Sequence, residues 1–283
     1  MLKIAIQAKG RLNEQSMDLL ADAGISASSG NRKLITKAKG FPMEILYLRD
    51  DDIPQAVAMG VADIGIVGMN EITEKGEKVE EILPLGFGAC RISIAVPREV
   101  EYTGTEWLNG RRIATSYPNI LRTFFAENGI SAEIHEIAGS VEIAPAVGMS
   151  DAIFDIVSSG GTLIQNGLRE VEQVFFSEAV LIATPDLPEE KRADLDKLKF
   201  RLNSILDSRG MKYVLMNLPR TAVDQAVKIL PGMKSPTLLP LTDPEWCSLH
   251  VVIPESELWE KIEQLKEIGA EDILILNLEN IIR

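Results

Sequence analysis

Eight residues near the middle of the chain have the types and the order needed to hold an anion: Asp155-Ile-Val-Ser158-Ser159-Gly160-Gly161-Thr162. Ile153, Ile156 and Val157 are β-branched, as in a short buried strand. Small residues follow, and after Thr162 the pattern turns helical. The free N–H groups of a first helical turn point outward, and the dipole favours negative charge there. Glycine lets a phosphate approach the backbone, while Ser and Thr hydroxyls add donors. No Lys follows the glycine pair, so this is not the loop that cradles a triphosphate; it suits one terminal phosphate monoester. Asp155, at the strand end, is placed to accept hydrogen bonds from sugar hydroxyls. Ser-Ser-Gly-Gly is also an ordinary loop composition, so the loop alone leaves both readings open.

The elements that must position such a loop recur along the chain. Residues 2–7 read as a buried strand and residues 8–12 as a turn; a helix follows, with Asn13 as N-cap and Gly24 as its end. That order puts Lys9 and Arg11 at the C-terminal edge of a strand, where open α/β sheets bind ligands, although most Lys and Arg are simply solvated surface cations. Residues 33–48 read as two strands around Gly40-Phe-Pro42. Arg49 at the second strand's end has the fork geometry to meet a phosphate, whereas Asp51 and Asp52 suit a helix N-terminus. A strand through Ala62–Gly68 exits at Asn70, open to a base or ribose contact or to helix capping. A further strand over 111–115 leads to Ser116-Tyr117-Pro118 and Arg122, where the Tyr117 ring can stack on a base or pack in a turn. Next come a strand over 132–138 and a helix around 142–147. Strands at 92–96 and 178–183 read as the crossovers of one βα lobe inserted into another.

A helix spans 188–208, and Gly210 ends it. The remainder reads as strand 212–218, helix 220–229, strands 236–241 and 247–253, helix 255–268 and strand 272–278. That βαββαβ order is a ferredoxin-like (ACT-like) α+β unit. The expected boundaries are 1–90 with 180–210 for the first lobe, 91–179 for the second and 211–283 for the last domain.

Composition narrows the function classes. The chain has 283 residues, 46% apolar and 25% charged, with a net charge of −13. This is the balance of a soluble globular protein, and it lacks the basic stripe of a nucleic-acid binder. Cys90 and Cys247 are far apart, which argues against a disulfide framework. The opening residues lack a signal peptide's apolar run, so a cytoplasmic location is expected. No Ser-His-Asp arrangement or metal-spaced Cys pair is present, and His135 and His250 read as structural.

Glu142, Gly148, Ser150, Ile153, Asp155, Ile156, Ser159, Gly160, Thr162 and Leu163 together resemble the signature of the ATP phosphoribosyltransferases, which open histidine biosynthesis. The resemblance covers nearly the whole chain and points to the long form, which carries a C-terminal regulatory domain. It implies a catalytic part of the two-lobed periplasmic-binding-protein type II kind. It implies ATP and phosphoribosyl pyrophosphate as substrates and places Lys9 and Arg11 at the active site. Arg49, Asn70 and Tyr117 join them as candidates for ATP or polyphosphate, and Asp155 with Ser158, Ser159, Gly160, Gly161 and Thr162 for phosphoribosyl pyrophosphate. The family often carries an acid near Asn70, from which this sequence departs. The resemblance also implies dimers that assemble into hexamers, and a histidine effector site including Ser235-Pro-Thr237.

The implied reaction, attack of adenine N1 on C1 of phosphoribosyl pyrophosphate, has requirements these residues meet. N1 already carries a lone pair, so no strong base is needed. Positive charge develops at C1, where a carboxylate such as Asp155 helps. The pyrophosphate leaving group calls for Mg²⁺, through ligands the sequence does not identify. Two alternatives remain: a solute-binding module of the same fold, which would call for a signal peptide, and a different phosphoribosyltransferase, most of which carry two adjacent acids where this chain has Phe154-Asp155.

Overall fold

The computed structural model describes residues 1–27 and 34–283. The chain divides into two compact units, Met1–Lys197 and Leu198–Arg283, the division falling within one helix.

The first unit holds two sheets. One begins with β1 (Leu2–Gln7), whose Leu2, Ile4, Ala5 and Ile6 are fully buried, as only a strand covered on both faces can be. Then come α1 (Arg11–Asp22), β2 (Ser26–Ala27), β3 (Ile35–Lys39), β4 (Met43–Leu48), α2 (Ile53–Ala58), β5 (Ile64–Gly68), α3 (Met69–Lys75) and β6 (Glu80–Pro84). The chain crosses to the other sheet for β7 (Cys90–Pro97), β8 (Arg112–Thr115), α4 (Pro118–Asn128), β9 (Glu133–Glu136), β10 (Ala152–Val157), α5 (Gly161–Gln165) and β11 (Leu168–Ser177). It returns as β12 (Ala179–Ala183) and continues into α6 (Glu189–Leu206). The sheet orders are β2-β3-β4-β1-β5-β12-β6 and β11-β7-β10-β8-β9.

The sequence places these elements well, with instructive exceptions. α1 starts at Arg11, not after Asn13: Gly10, at φ 99°, turns the chain directly into the helix, and Asn13 Nδ2 donates to Gln7 O at 2.6 Å instead of capping. The helix expected around 142–147 is only a 3₁₀ turn over Val141–Ile143 followed by irregular turns. In a continued helix Pro145 would lack its N–H and crowd the carbonyl of Val141. Residues 168–177 show no clean alternation, yet they form β11, because two register shifts along its pairing with β7 change which residues face inward. The strand over 90–97 lies wholly in the second sheet and that over 179–183 wholly in the first, so neither is itself a crossover. The crossings are the short segments before them, residues 85–89 and residue 178. The start of the expected 33–48 hairpin, Lys33, lies outside the described residues; the rest forms the antiparallel pair β3–β4.

Close packing on the first sheet depends on a small residue at one point. A Cβ on Gly65 would lie 2.8 Å from Ile53 Cγ2 and 3.0 Å from Val57 Cγ2, so α2 rests directly on the strand. Gly65→Ala is therefore expected to lower stability by roughly 1–3 kcal/mol through overpacking, read as a lower urea midpoint at an unchanged m-value.

The second unit takes in the end of α6 and then β13 (Met211–Pro219), α7 (Val223–Ile229), β14 (Thr237–Pro240), β15 (Trp246–Pro254), α8 (Leu258–Glu267) and β16 (Glu271–Asn277), in the sheet order β14-β15-β13-β16. This is the βαββαβ order expected. One sheet face is buried under the helices through Val214, Met216, Leu249 and Val251, with Ala226 and Leu265 packed against them. Among the described residues no helix is long and apolar enough to cross a membrane.

Candidate active site

β10 ends beside the small-residue loop as its apolar run requires. Phe154 is fully buried and points into the core of the second sheet, which leaves its neighbour Asp155 on the opposite face at the strand's end. Ser116 Oγ, at the end of neighbouring β8, donates to Asp155 Oδ1 at 3.0 Å. Burial pushes the Asp155 carboxyl up to about 6, against hydrogen bonds from the Ile156 backbone and Ser116, with Glu142 adding repulsion. At neutral pH the group is thus ionised, but only just held so.

The loop that follows turns on Gly160, whose φ of 77° lies in the left-handed region. α5 then spans only five residues. Its dipole is correspondingly small, and the loop's capacity for an anion rests on outward backbone N–H groups and hydroxyls. Ser158, Ser159, Gly161 and Thr162 are exposed and available to a ligand. Arg91 Nη1 braces the loop's first carbonyl, Ser158 O, at 3.2 Å, and is itself held by a two-bond pair with Glu170 at 2.5 Å.

A cleft of about 300 Å³ runs from this loop to the first sheet, lined among others by Gln7, Arg11, Asp50, Asn70, Tyr117 and Ser158. It joins one residue of the small-residue loop, Ser158, to Arg11, Asn70 and Tyr117. Lys9 and Arg49 lie outside that lining: both are exposed, and the Arg49 guanidinium turns to Asp51 at 3.0 Å. Asn70 is buried by a polar network. Its backbone N–H donates to Ser177 Oγ at 3.0 Å, that hydroxyl donates to Asn70 Oδ1 at 2.8 Å, and Asn70 Nδ2 donates to Glu71 Oε1 at 2.8 Å. Gly68 makes this fold-back possible, since a Cβ there would lie 2.3 Å from Asn70 Oδ1. Of the two uses open to the Tyr117 ring, stacking on a base or packing, the structure shows packing in the second sheet's core, and its hydroxyl donates to Glu71 Oε1 at 3.1 Å.

Two acids absent from the sequence expectations stand out here. Glu71 is buried, and desolvation together with the Asp50 carboxylate pushes it up to about 7, against the Tyr117 hydrogen bond. Glu74, one helical turn on, is also buried. It accepts from the backbone N–H of Asn119 at 2.9 Å and of Ile120 at 3.0 Å. The only signal in the sequence was their i, i+3 spacing on a helix that otherwise reads as polar surface. Cys90 also lines the cleft, and burial pushes its thiol up, away from a reactive thiolate.

The second unit has a cavity of its own, of about 740 Å³, whose lining includes Tyr213, Lys234, Ser235, Thr237, His250 and Arg283. Strand pairing sets Thr237 opposite His250. Tyr213 Oη and His250 Nδ1 are 2.7 Å apart, and Ser248 Oγ lies 3.2 Å from Nε2. His250 is thus a cavity residue as well as a sheet residue. His135 sits against Met149 O and Glu133 at 3.0 Å each, in a structural role.

A family model described as HisG, ATP phosphoribosyltransferase, matches residues 49–204, and one described as HisG, C-terminal domain, matches residues 208–280. Proteins named ATP phosphoribosyltransferase from Parabacteroides distasonis and Bacteroides thetaiotaomicron are 56% and 53% identical over 282 residues, covering 100% of each chain. Among solved structures, a chain of the ATP phosphoribosyl transferase (HisG:HisZ) complex from Thermotoga maritima matches with a TM-score of 0.63 and 29% identity, over 72% of this chain and 97% of that one. A Listeria monocytogenes chain described as a candidate L-cystine ABC transporter shares the fold alone, at 16% identity and a TM-score of 0.50, over 73% of this chain and 90% of that one. The catalytic part is thus of the periplasmic-binding-protein type II kind.

Proposed function

The chain belongs to the ATP phosphoribosyltransferase family, the enzymes of the first step of histidine biosynthesis, and on that premise we propose that it joins N1 of ATP to C1 of phosphoribosyl pyrophosphate, releasing pyrophosphate. The observation that carries this reading is the half-buried Asp155 at the end of β10, directly ahead of a loop whose hydroxyls and N–H groups are free to take a phosphate.

In this reading Ser158, Ser159, Gly160, Gly161 and Thr162 hold the 5-phosphate, and Asp155 accepts from the ribose hydroxyls. As the bond from C1 to the pyrophosphate oxygen breaks, C1 gains positive charge, which the ionised Asp155 stabilises. The adenine N1 lone pair forms the new bond; no proton need leave first. Arg11 and Asn70 hold the ATP side of the cleft, with Lys9 and Arg49 as exposed cations that a polyphosphate can recruit by side-chain rotation. Among the described residues no three His, Cys, Asp or Glu side chains cluster as a metal cage. Mg²⁺ commonly binds through substrate phosphates and one or two carboxylates. Asp155, beside the loop, would supply that limited share, and the ion would neutralise the leaving pyrophosphate.

Coupled measurement of pyrophosphate release with ATP, orotate and free purines as acceptors tests the reading. Release only with ATP supports it. Release with another acceptor, or binding without release, points to the other phosphoribosyltransferases or to a solute-binding module.

The second unit is proposed as a histidine sensor. Its cavity offers hydroxyls from Ser235 and Thr237 and cations from Lys234 and Arg283, a set suited to an amino acid's carboxylate and polar groups. Histidine would act by binding one arrangement of subunits, in dimers or hexamers, more tightly than another. Thr237→Ala is expected to raise the half-inhibitory histidine concentration about tenfold and to leave uninhibited kcat nearly unchanged. An inhibition curve identical to the parent's removes Thr237 from the site. The proposed location is cytoplasmic.

A further inference from the structure

α3 belongs to the first sheet's lobe, yet both of its buried acids accept hydrogen bonds from the second, Glu71 alongside its bond from Asn70. Tyr117 Oη donates to Glu71. The N–H groups of Asn119 and Ile120, in the first turn of α4, donate to Glu74, and Asn119 Nδ2 donates to Glu74 O at 2.8 Å. α4 has no side-chain cap of its own: its N-cap residue is Tyr117, and Pro118 follows. The orphan donors that every helix start leaves are met here by a carboxylate from another lobe. Immediately before this turn stands Ser116, whose hydroxyl holds Asp155. The backbone of residues 116–120 therefore ties the hydrogen bonds made to α3 to the one made to the strand-end acid.

We propose that Glu74 is a positioning residue that clamps the two lobes in catalytic register. The proposal rests on the assignment of ATP to the first lobe's side of the cleft and of phosphoribosyl pyrophosphate to the second lobe's loop. Because that loop and Asp155 both belong to the second sheet's lobe, phosphoribosyl pyrophosphate keeps its 5-phosphate and ribose contacts when the clamp is lost. What is lost is the alignment of C1 with an adenine held from the other side, and misplacement of that kind lowers turnover sharply. Glu74 itself does not line the cleft, and touches neither reactant in this arrangement.

The test compares Glu74→Ala with Glu74→Gln. In the carboxylate, Oε2 alone reaches both the Asn119 and the Ile120 N–H, at 3.1 and 3.0 Å, so one amide oxygen can serve both once the amide NH2 turns off the Asn119 N–H, which lies 2.9 Å from Oε1. The expected result for Glu74→Ala is a kcat about tenfold or more below the parent, with KM for phosphoribosyl pyrophosphate within about twofold. Glu74→Gln should recover most of that loss. Hydrogen exchange at the amides of Asn119 and Ile120 should quicken in the Ala variant and return toward the parent in the Gln variant. Parent-like kcat in Glu74→Ala, a loss carried wholly by KM, or unchanged exchange would each overturn the proposal. Exchange needs no turnover. If the parent proves inactive with both substrates, the functional reading fails while exchange still decides whether Glu74 caps α4 across the lobes.

Discussion

Asp155→Asn lowers kcat by about two orders of magnitude and changes KM for phosphoribosyl pyrophosphate little. Asn keeps the size of the side chain and an oxygen that Ser116 can still reach, so the ground-state contacts survive. The negative charge beside C1 does not, and removal of one preorganised electrostatic partner commonly costs about 10²–10³ in rate. A fall in kcat at steady KM marks an interaction made in the transition state. If KM alone moved, Asp155 would be a binding group.

The same variant has a pH signature. Burial raises Asp155 to about 6 in the folded protein, above its ordinary value. The carboxylate is the active form, so kcat/KM of the parent should rise with pH through about 6, and that inflection should vanish in Asp155→Asn. The stability effect runs the other way. Between the ordinary carboxylate value and 6 the unfolded chain has released this proton and the folded chain has kept it, so the parent loses stability as pH rises through that window. Above 6 the full penalty is present. Asp155→Asn, having no charge to bury, should melt at a higher temperature than the parent at pH 7 and at a closely similar one at pH 4. Calorimetry at the two pH values reads this difference directly; a variant less stable at pH 7 would contradict the burial argument.

Thr162→Ala weakens binding of phosphoribosyl pyrophosphate about tenfold or more. The hydroxyl is exposed at the start of α5 and would donate to a phosphate bearing charge; such bonds contribute roughly 1.5–3 kcal/mol. Since α5 has only five residues, little dipole energy is available to make up the loss. The fold should be untouched, because an exposed Thr exchanged for Ala opens no cavity. Titration calorimetry of the two proteins with phosphoribosyl pyrophosphate decides it, with unchanged affinity removing Thr162 from the phosphate site. Thr162→Ser, which keeps the hydroxyl, should bind within a few-fold of the parent.

By itself the sequence determined whatever depends on short range. The alternation of Leu2, Ile4 and Ile6, the glycine stops and the order strand–loop–helix locate the elements, because periodicity of apolar residues sets which face is buried. The run from Asp155 to Thr162 is legible for the same reason: strand, turn and helix start are contiguous, so the acid and the loop stay together whatever the rest of the chain does. The βαββαβ order of the second unit is likewise a local pattern repeated. Only the tertiary structure decided what comes from distant segments. Glu71 and Glu74 look like solvated helix charges until the α4 turn, some 45 residues on, buries them and supplies donors. The sequence left Tyr117 open to stacking or to packing, until its neighbours on α4 enclosed it and left its hydroxyl as the polar end. The two register shifts of β11 depend on its partner β7, and His250 entered a cavity because β15 pairs with β14 at Thr237. In each case burial is the deciding quantity. Whether a charged or aromatic side chain is buried depends on which remote surfaces close over it, and a linear pattern does not carry that information.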